Sequence, residues 1–371
     1  MKYYILVGEA SGDLHGSNLM KAILKEDSKA EFHFWGGDLM RNVGGELVVH
    51  YKERSFMGLT EVFLNLIKIF GFISFCKRDI KEYNPDVIIY IDNSGFNLRI
   101  AEWAKRQGFK NHYYISPQVW ASREDRIKKI KRYIDKMFVI LPFEKSFYEK
   151  HDYKVDFVGH PLIDAISDRK TVPEEEIRKI FFLGKKPIIA ILPGSRKQEI
   201  IKMLSVMLSI VADYPDYEFV IAGAPSQSFN FYKTFIGNRI NIGFINNRTY
   251  DLLSISQAAI VTSGTATLET ALFKVPQVVC YKSSNITYQI AKRIITLKYI
   301  SLVNLIMDKP LVTELIQNDF NKKNLKIELD KILDLNHRKE LLKEYDILEK
   351  KLGGKGASEK AAKLIVSSIK D

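Results

Sequence analysis

The sequence predicts an α/β protein made of two parallel-sheet domains, and three observations carry the prediction. Short apolar runs alternate with longer helical patterns almost throughout the 371 residues, as expected of strands covered on both faces by crossover helices. The alternation pauses at Gly159-His160-Pro161 and the polar stretch Ser167-Asp168-Arg169-Lys170-Thr171-Val172-Pro173, then restarts. Each half also contains apolar strands that run into Gly- and Ser-containing turns before a helix, the junctions where such sheets bind ligands. The expected division is 1–166, 167–340 and a helical C-terminal segment 341–371, long enough for two sizeable cores.

In the first half, strands are expected at 3–7, 31–35, 86–91, 111–115, 136–140 and 155–158. The first is entered directly from Met1, without the basic start, apolar core and cleavage site of a secretory signal. It ends in Gly8-Glu9-Ala10-Ser11-Gly12-Asp13, followed by a helical pattern from Leu14. The spacing is neither G-x-G-x-x-G nor a Walker A loop, which disfavours a dinucleotide-dependent dehydrogenase. Glu9, Ser11 and Asp13 are placed at the rim of the first sheet, although a tight turn with its own cap accounts for the same residues.

The segment 56–76 is far more apolar than its surroundings. Glu61, Asn65 and Lys68 recur on it at helical spacing, and a polar stripe of that kind is costly to bury in lipid. A helix is expected that packs into the core or lies in a membrane interface. Phe63, Leu66, Ile67, Phe70, Phe72 and Phe75 offer more apolar surface than one helix on a sheet needs to bury, which favours partial membrane contact.

The strand at 86–91 sets Asp92 at its carboxyl end, in the turn Asp92-Asn93-Ser94-Gly95-Phe96-Asn97. A carboxylate facing a cleft there is a candidate to take a proton from a substrate hydroxyl. Turn and capping chemistry suits the same residues. After Trp120 comes the basic run Arg123, Arg126, Lys128, Lys129, Lys131, Arg132 and Lys136. Such runs are usually solvated helix faces; near an anionic bilayer each cation adds about 1 kcal/mol of attraction. His160 is read as a structural histidine.

The second half restarts with strands at 187–192, 218–222, 240–244, 258–261 and 277–281, and beyond about Met307 only helical patterns are expected, including 358–369. Its first strand runs into Pro193-Gly194-Ser195-Arg196. Gly194 permits close backbone approach, and Arg196 offers a planar fork of donors suited to a diphosphate. A later strand runs into Ser263-Gly264-Thr265, which caps a helix whose amides and dipole favour a phosphate. Glu269, about one turn further on, is placed to accept hydrogen bonds from ribose hydroxyls. An ordinary capped helix explains that segment alone; two phosphate-competent loops in one half are harder to explain away.

The net charge of +12 and pI near 9.3 favour acidic partners: nucleic acid, an anionic membrane or phosphorylated substrates. Zinc-finger, RNP-like and clear helix-turn-helix patterns are absent, so nucleic acid is not expected. Cys76 and Cys280 are too few for a disulfide framework and fit a reducing cytoplasm. No metal-ligand spacing and no Gly-x-Ser-x-Gly appear, so neither a metal nor any other cofactor is expected.

Jointly these motifs resemble one family, lipid-A-disaccharide synthase, a glycosyltransferase family of the GT-B fold. The resemblance rests on GEASGD at 8–13, MGLTEV at 57–62, the segment from Asp92 to Asn97, YISPQVWASR at 114–123, LPFEKSFY at 141–148, GHP at 159–161, LPGSR at 192–196, SGTATLE at 263–269 and YISLVNL at 299–305. It implies two Rossmann-like domains with a cleft between them and a helical tail packing back on the first. It also implies transfer of 2,3-diacylglucosamine from UDP-2,3-diacylglucosamine to the 6-hydroxyl of 2,3-diacylglucosamine 1-phosphate, with inversion and without metal, at the anionic inner face of the cytoplasmic membrane.

Carried over residue by residue, Asp92 matches the catalytic base. Gly194, Ser195, Arg196, Ser263, Gly264 and Thr265 would hold the UDP diphosphate and Glu269 the ribose. Pro142, Phe143 and Glu144, with Asn304, would complete the donor pocket, while Glu9, Ser11 and Asp13 would face the acceptor. The chain departs from the family pattern at Gly95, usually acidic; at Ser122, usually Trp; and at Val303, usually Pro. Gly95 means that Asp92 must act without a paired second carboxylate, and the changes bear on acyl-chain selectivity more than on reaction type.

Overall fold

Thirteen strands form two all-parallel sheets in the computed structural model, which describes residues 1–53, 66–122, 124–284, 288 and 297–370. The first sheet contains β1 (Lys2–Leu6), β2 (Glu31–Gly36), β3 (Glu46–His50), β4 (Val87–Ile91), β5 (Asn111–Tyr114), β6 (Lys136–Val139) and β7 (Asp156–Phe157), in the order β3-β2-β1-β4-β5-β6-β7. The second contains β8 (Ile188–Leu192), β9 (Glu218–Gly223), β10 (Ile242–Asn246), β11 (Ser256–Thr262), β12 (Gln277–Tyr281) and β13 (Glu314–Ile316), in the order β10-β9-β8-β11-β12-β13. Both orders are doubly wound. The chain reverses direction across the sheet between β1 and β4 in one, and between β8 and β11 in the other.

The central strands follow from composition. β4 and β8 are apolar and buried at every position, as parallel strands sandwiched between helices must be. Two strands escape a reading by apolar runs. β3 mixes Glu46 and His50 with three aliphatic residues at a sheet edge, and β13 is three residues long and pairs only with β12. The expectation that strands cease after Met307 is therefore corrected: short edge strands have too little apolar surface to show in sequence. β10 also begins two residues later than expected, because Ile240 is exposed.

The chain divides into two compact units, Met1–Asp164 with Leu352–Asp371, and Ala165–Lys351. The helix Leu335–Lys351 runs through the expected 340/341 boundary and belongs to the second unit. The last helix, Ala357–Lys370, buries Ala361, Ala362, Ile365 and Val366 in the first unit. Asp164 accepts the Gly356 and Ser358 amides at 2.7 and 3.2 Å, and Lys25 pairs with Glu359 at 2.5 Å.

One face of the first sheet is covered by the helices Leu66–Tyr83, Ser94–Arg106 and Ile127–Tyr133. Buried polar bonds fix this layer. The Asn111 amide donates to the carbonyls of Ala101 and Tyr133, each at 2.9 Å, and its oxygen accepts the Tyr90 hydroxyl at 2.9 Å. In the second unit the two sheet faces bury separate apolar clusters, one around Ile189, Ile191 and Phe219 and one around Ala190, Val220 and Val261.

Candidate active site

The carboxyl ends of β1 and β4 lie side by side, with Leu6 paired to Tyr90. The turns that follow them therefore meet at the switch point. They line a cleft of about 260 Å³ formed by Gly8, Glu9, Ser11 and Gly12 from one turn and Asp92, Asn93, Ser94 and Gly95 from the other. Both turns lead into helices, Ala10–Glu26 and Ser94–Arg106, whose first amides add positive potential to the cleft.

Asp92 sits on a strained backbone. It and Asn93 both adopt left-handed conformations, with φ of 47° and 43°, which cost non-glycine residues energy and persist only where the surroundings enforce them. Here the Asp92 carbonyl accepts hydrogen bonds from the Asn97 amide at 2.8 Å and from the buried Tyr113 hydroxyl. A Cβ on Gly8 would collide with the Asn93 side chain, so glycine is required there. The Asp92 side chain opens to the cleft while protein crowds it. Partial desolvation, with the charge of Glu9, pushes its pKa above the ordinary carboxylate value, although the Asn93 amide works against this. The result is a stronger base than a free aspartate, open to a substrate hydroxyl.

Glu9 and Ser11 line the same cleft, but Asp13 does not. Its carboxylate is buried and accepts the Gly37, Leu39 and Met40 amides at 2.8, 3.1 and 3.1 Å. Asp13 is thus turned inward, fastening the loop after β2. Glu144 is likewise not a free pocket residue. It is buried, accepts the Ile140 and Leu141 amides at 3.2 and 2.9 Å, and takes the Trp120 indole N–H at 3.3 Å. Burial raises its pKa to about 7. Phe143, on the same helix Pro142–Glu149, packs edge-to-face on Trp120 with ring centroids 4.9 Å apart.

In the second unit, Val261 of β11 pairs with Leu192 of β8, which brings the Gly194-Ser195-Arg196 and Ser263-Gly264-Thr265 loops to one switch point. Gly194 and Gly264 have φ of 107° and 153°, conformations that side chains resist. The helices Lys197–Met207 and Thr265–Leu272 start from these loops. The Arg196 side chain is 80% exposed and pairs with Glu199 at 3.9 Å. The Ser263 hydroxyl instead donates to the Ile300 carbonyl at 2.8 Å. Glu269 accepts the Tyr250 hydroxyl at 2.9 Å, and burial raises its pKa. The Ser263 amide donates to the Cys280 carbonyl at 3.0 Å, so the turns present the Gly264 and Thr265 amides, an exposed guanidinium and a carboxylate.

Asn304 departs from expectation. It is buried, and its amide is fully occupied: Nδ2 donates to the Val312 carbonyl at 2.8 Å and to Glu314 at 2.9 Å, while Oδ1 accepts the Val312 N–H at 2.9 Å. Glu314 also accepts the Ile300 and Ser301 amides at 3.0 and 2.9 Å. Asn304 and Glu314 therefore stiffen the segment that Ser263 leans on. Sequence reasoning missed Glu314 because it lies on the unread strand β13, and missed Tyr250 and Tyr113 because a lone tyrosine carries no pattern. His160 is buried with its pKa lowered to about 3 and accepts the Leu162 amide at 3.2 Å, a structural role as expected.

Of the apolar helix, Phe63 lies outside the described residues, and Leu66 and Ile67 open the described helix. Phe70 is 64% exposed. Phe72 and Phe75 turn inward, with ring centroids 6.0 and 6.1 Å from that of Trp35. The expected outward aromatic face is therefore reduced, with Phe72 and Phe75 half-buried against the core, because the buried Ile73, Cys76 and Ile80 set the helix rotation. Among the described residues no helix is long and apolar enough to cross a membrane.

Known proteins resemble the chain over nearly its whole length. The family model described as lipid-A-disaccharide synthetase matches residues 3–367. A lipid-A-disaccharide synthase of Geobacter metallireducens is 37% identical over 372 residues, covering 98% of this chain and 96% of the relative. One of Coxiella burnetii is 36% identical over 371 residues, covering 98% of each. Among solved structures, a UDP-GlcNAc 2-epimerase of Methanocaldococcus jannaschii in complex with UDP-GlcNAc and UDP has a TM-score of 0.68 at 12% identity, covering 99% of this chain and 100% of that one. A UDP-GlcNAc 2-epimerase of Neisseria meningitidis bound to UDP-GlcNAc has a TM-score of 0.67 at 13% identity, covering 100% and 99%. At these identities the likeness is one of fold, the GT-B fold.

Proposed function

The chain belongs to the lipid-A-disaccharide synthase family of glycosyltransferases, and from that premise we propose that it joins two acylated glucosamines. The donor is UDP-2,3-diacylglucosamine, the acceptor is 2,3-diacylglucosamine 1-phosphate, and the products are the β-1,6-linked tetraacyl disaccharide 1-phosphate and UDP. The observation that carries the reading is Asp92, held in strained backbone at the β1/β4 switch point and raised in basicity.

Asp92 takes the proton of the acceptor's 6-hydroxyl as that oxygen attacks C1 of the donor sugar. The bond from C1 to the diphosphate oxygen breaks with inversion, and its electron pair leaves with UDP. Arg196 and the amides of Gly264 and Thr265 take up that charge, Glu269 holds the ribose, and preorganised donors of this kind need no metal to stabilise the leaving group. Glu9 and Ser11 line the acceptor side. Asp13, Glu144 and Asn304 support the loops from behind.

Acyl chains on both substrates call for work at a lipid surface. The helical layer Leu66–Tyr83, Ser94–Arg106 and Ile127–Tyr133 contains eleven Lys and Arg against three Asp and Glu. The opposite layer, Ala10–Glu26 and Ala357–Lys370, contains five against three. With Phe70 exposed on it, the basic layer is the face turned to the anionic inner surface of the cytoplasmic membrane.

The test is mass-spectrometric detection of product from the purified protein with both substrates, in detergent and EDTA. Disaccharide 1-phosphate supports the reading. UDP binding without product on this acceptor overturns the acceptor assignment and directs attention to other acceptors and to epimerisation.

A further inference from the structure

Arg126 belongs by sequence to a basic run, yet its place in the fold is unlike that of its neighbours. Lys128, Lys129, Lys131 and Arg132 are exposed on the helix Ile127–Tyr133. Arg126 precedes that helix, is partly buried, and its Nη1 donates to the hydroxyl of Ser94. Ser94 lines the cleft two residues from Asp92 and is the first residue of the helix Ser94–Arg106. Ile127, Ile130 and Tyr133 are buried behind it, so the guanidinium is anchored at this spot.

Its charge has no matching carboxylate. No carboxylate among the described residues lies within 4.0 Å of Arg126, and unlike Arg239 and Arg338, which donate to backbone carbonyls, it is bonded to a hydroxyl that lines the cleft. A half-buried guanidinium with spare donors is open to an anion, and its fork matches a phosphate. The nearby acidic groups, Asp92 and Glu9, do not serve as that anion. The charge of Arg126 is also felt at the Tyr113 hydroxyl, which holds the Asp92 carbonyl.

Resting on the acceptor reading above, we propose that Arg126 binds the phosphate monoester of the acceptor. It would thereby select a 1-phosphorylated sugar and align its hydroxyl with Asp92. Arg126 is then the specificity-determining cation of the acceptor side. The donor's diphosphate is provided for by the loops of the second unit.

The experiment compares 2,3-diacylglucosamine 1-phosphate with 2,3-diacylglucosamine lacking the phosphate, in wild type, Arg126→Ala and Arg126→Lys. Wild type should prefer the phosphorylated acceptor by about ten- to a hundredfold in kcat/KM, the range of a charge-assisted contact. Arg126→Ala should lose most of that preference through a raised KM for the phosphorylated acceptor, and Arg126→Lys should retain part of it. Ser94→Ala removes the observed hydrogen bond but leaves the cation, and should keep the preference. Equal losses on both acceptors in Arg126→Ala, or no preference in wild type, would overturn the proposal. If Arg126→Ala fails to fold, the same comparison in Arg126→Lys decides: an unchanged preference and KM there contradict a fork held on phosphate. Absence of product from wild type with either acceptor is a different failure, that of the functional reading itself.

Discussion

The two switch points share one topology and carry opposite chemistry. At β1/β4 the turns supply carboxylates, Glu9 and Asp92, on backbone that forces two non-glycine residues into left-handed conformations. At β8/β11 the left-handed positions fall on Gly194 and Gly264, and the turns supply free amides and the exposed Arg196. The doubly wound sheet thus fixes only where a site forms. Whether the site takes a proton or holds an anion is decided by a handful of turn residues. Strain is accepted where a carboxylate must be aimed, and avoided where backbone must come close to a phosphate.

The largest effect expected from breaking this division is on turnover. Asp92→Asn should lower it by about a hundredfold or more, as loss of a general base does, measured by product formation with both substrates saturating. Turnover within a few fold of wild type would pass the proton to another group. Asn304→Ala should act on stability instead. It removes three hydrogen bonds, two of them fully buried, and leaves Val312 without these partners, for about 3 kcal/mol and a Tm lowered by roughly 5–10 °C in thermal unfolding. If Asn304 contacted the donor directly, UDP affinity would fall without the loss of Tm.

On the apolar helix, Phe72→Ser should cost about 2 kcal/mol by opening a gap beside Trp35, and Phe70→Ser no more than about 0.5 kcal/mol. Only Phe70→Ser is therefore a clean probe of vesicle binding. The smallest change is expected from Glu9→Gln. Removing that negative charge favours ionised Asp92 and lowers its pKa. The acid limb of kcat/KM, along which activity rises with pH as Asp92 ionises, should move to lower pH. A limb that stays in place would show that Glu9 does not act on Asp92.

Much of this was legible in the residues. The apolar strands β1, β4, β8 and β11 announce themselves because burial on both faces leaves little room for polar residues, and the turns after them hold the chemistry. What was not legible depends on direction. Asp13, Glu144 and Asn304 sit in motifs beside the candidate site, but the fold turns each inward onto backbone amides or carbonyls. Arg126 shows the converse: Lys128, Lys129, Lys131 and Arg132 of the same basic run face solvent, whereas Arg126 reaches Ser94. Phe72 and Phe75 read as surplus apolar surface until Trp35, distant in sequence, is seen to need covering. Motif membership locates a loop. Which way each side chain points is set by long-range packing.

The central claim is that proton transfer and nucleotide binding are divided between the two switch points. Calorimetric titration of UDP into Asp92→Asn and Arg196→Ala beside wild type tests it most directly. The account predicts an unchanged Kd for Asp92→Asn and a Kd weakened by about tenfold or more for Arg196→Ala, the loss of charge-assisted hydrogen bonds to the diphosphate. Equal weakening in both variants, or normal UDP affinity in Arg196→Ala, would contradict it.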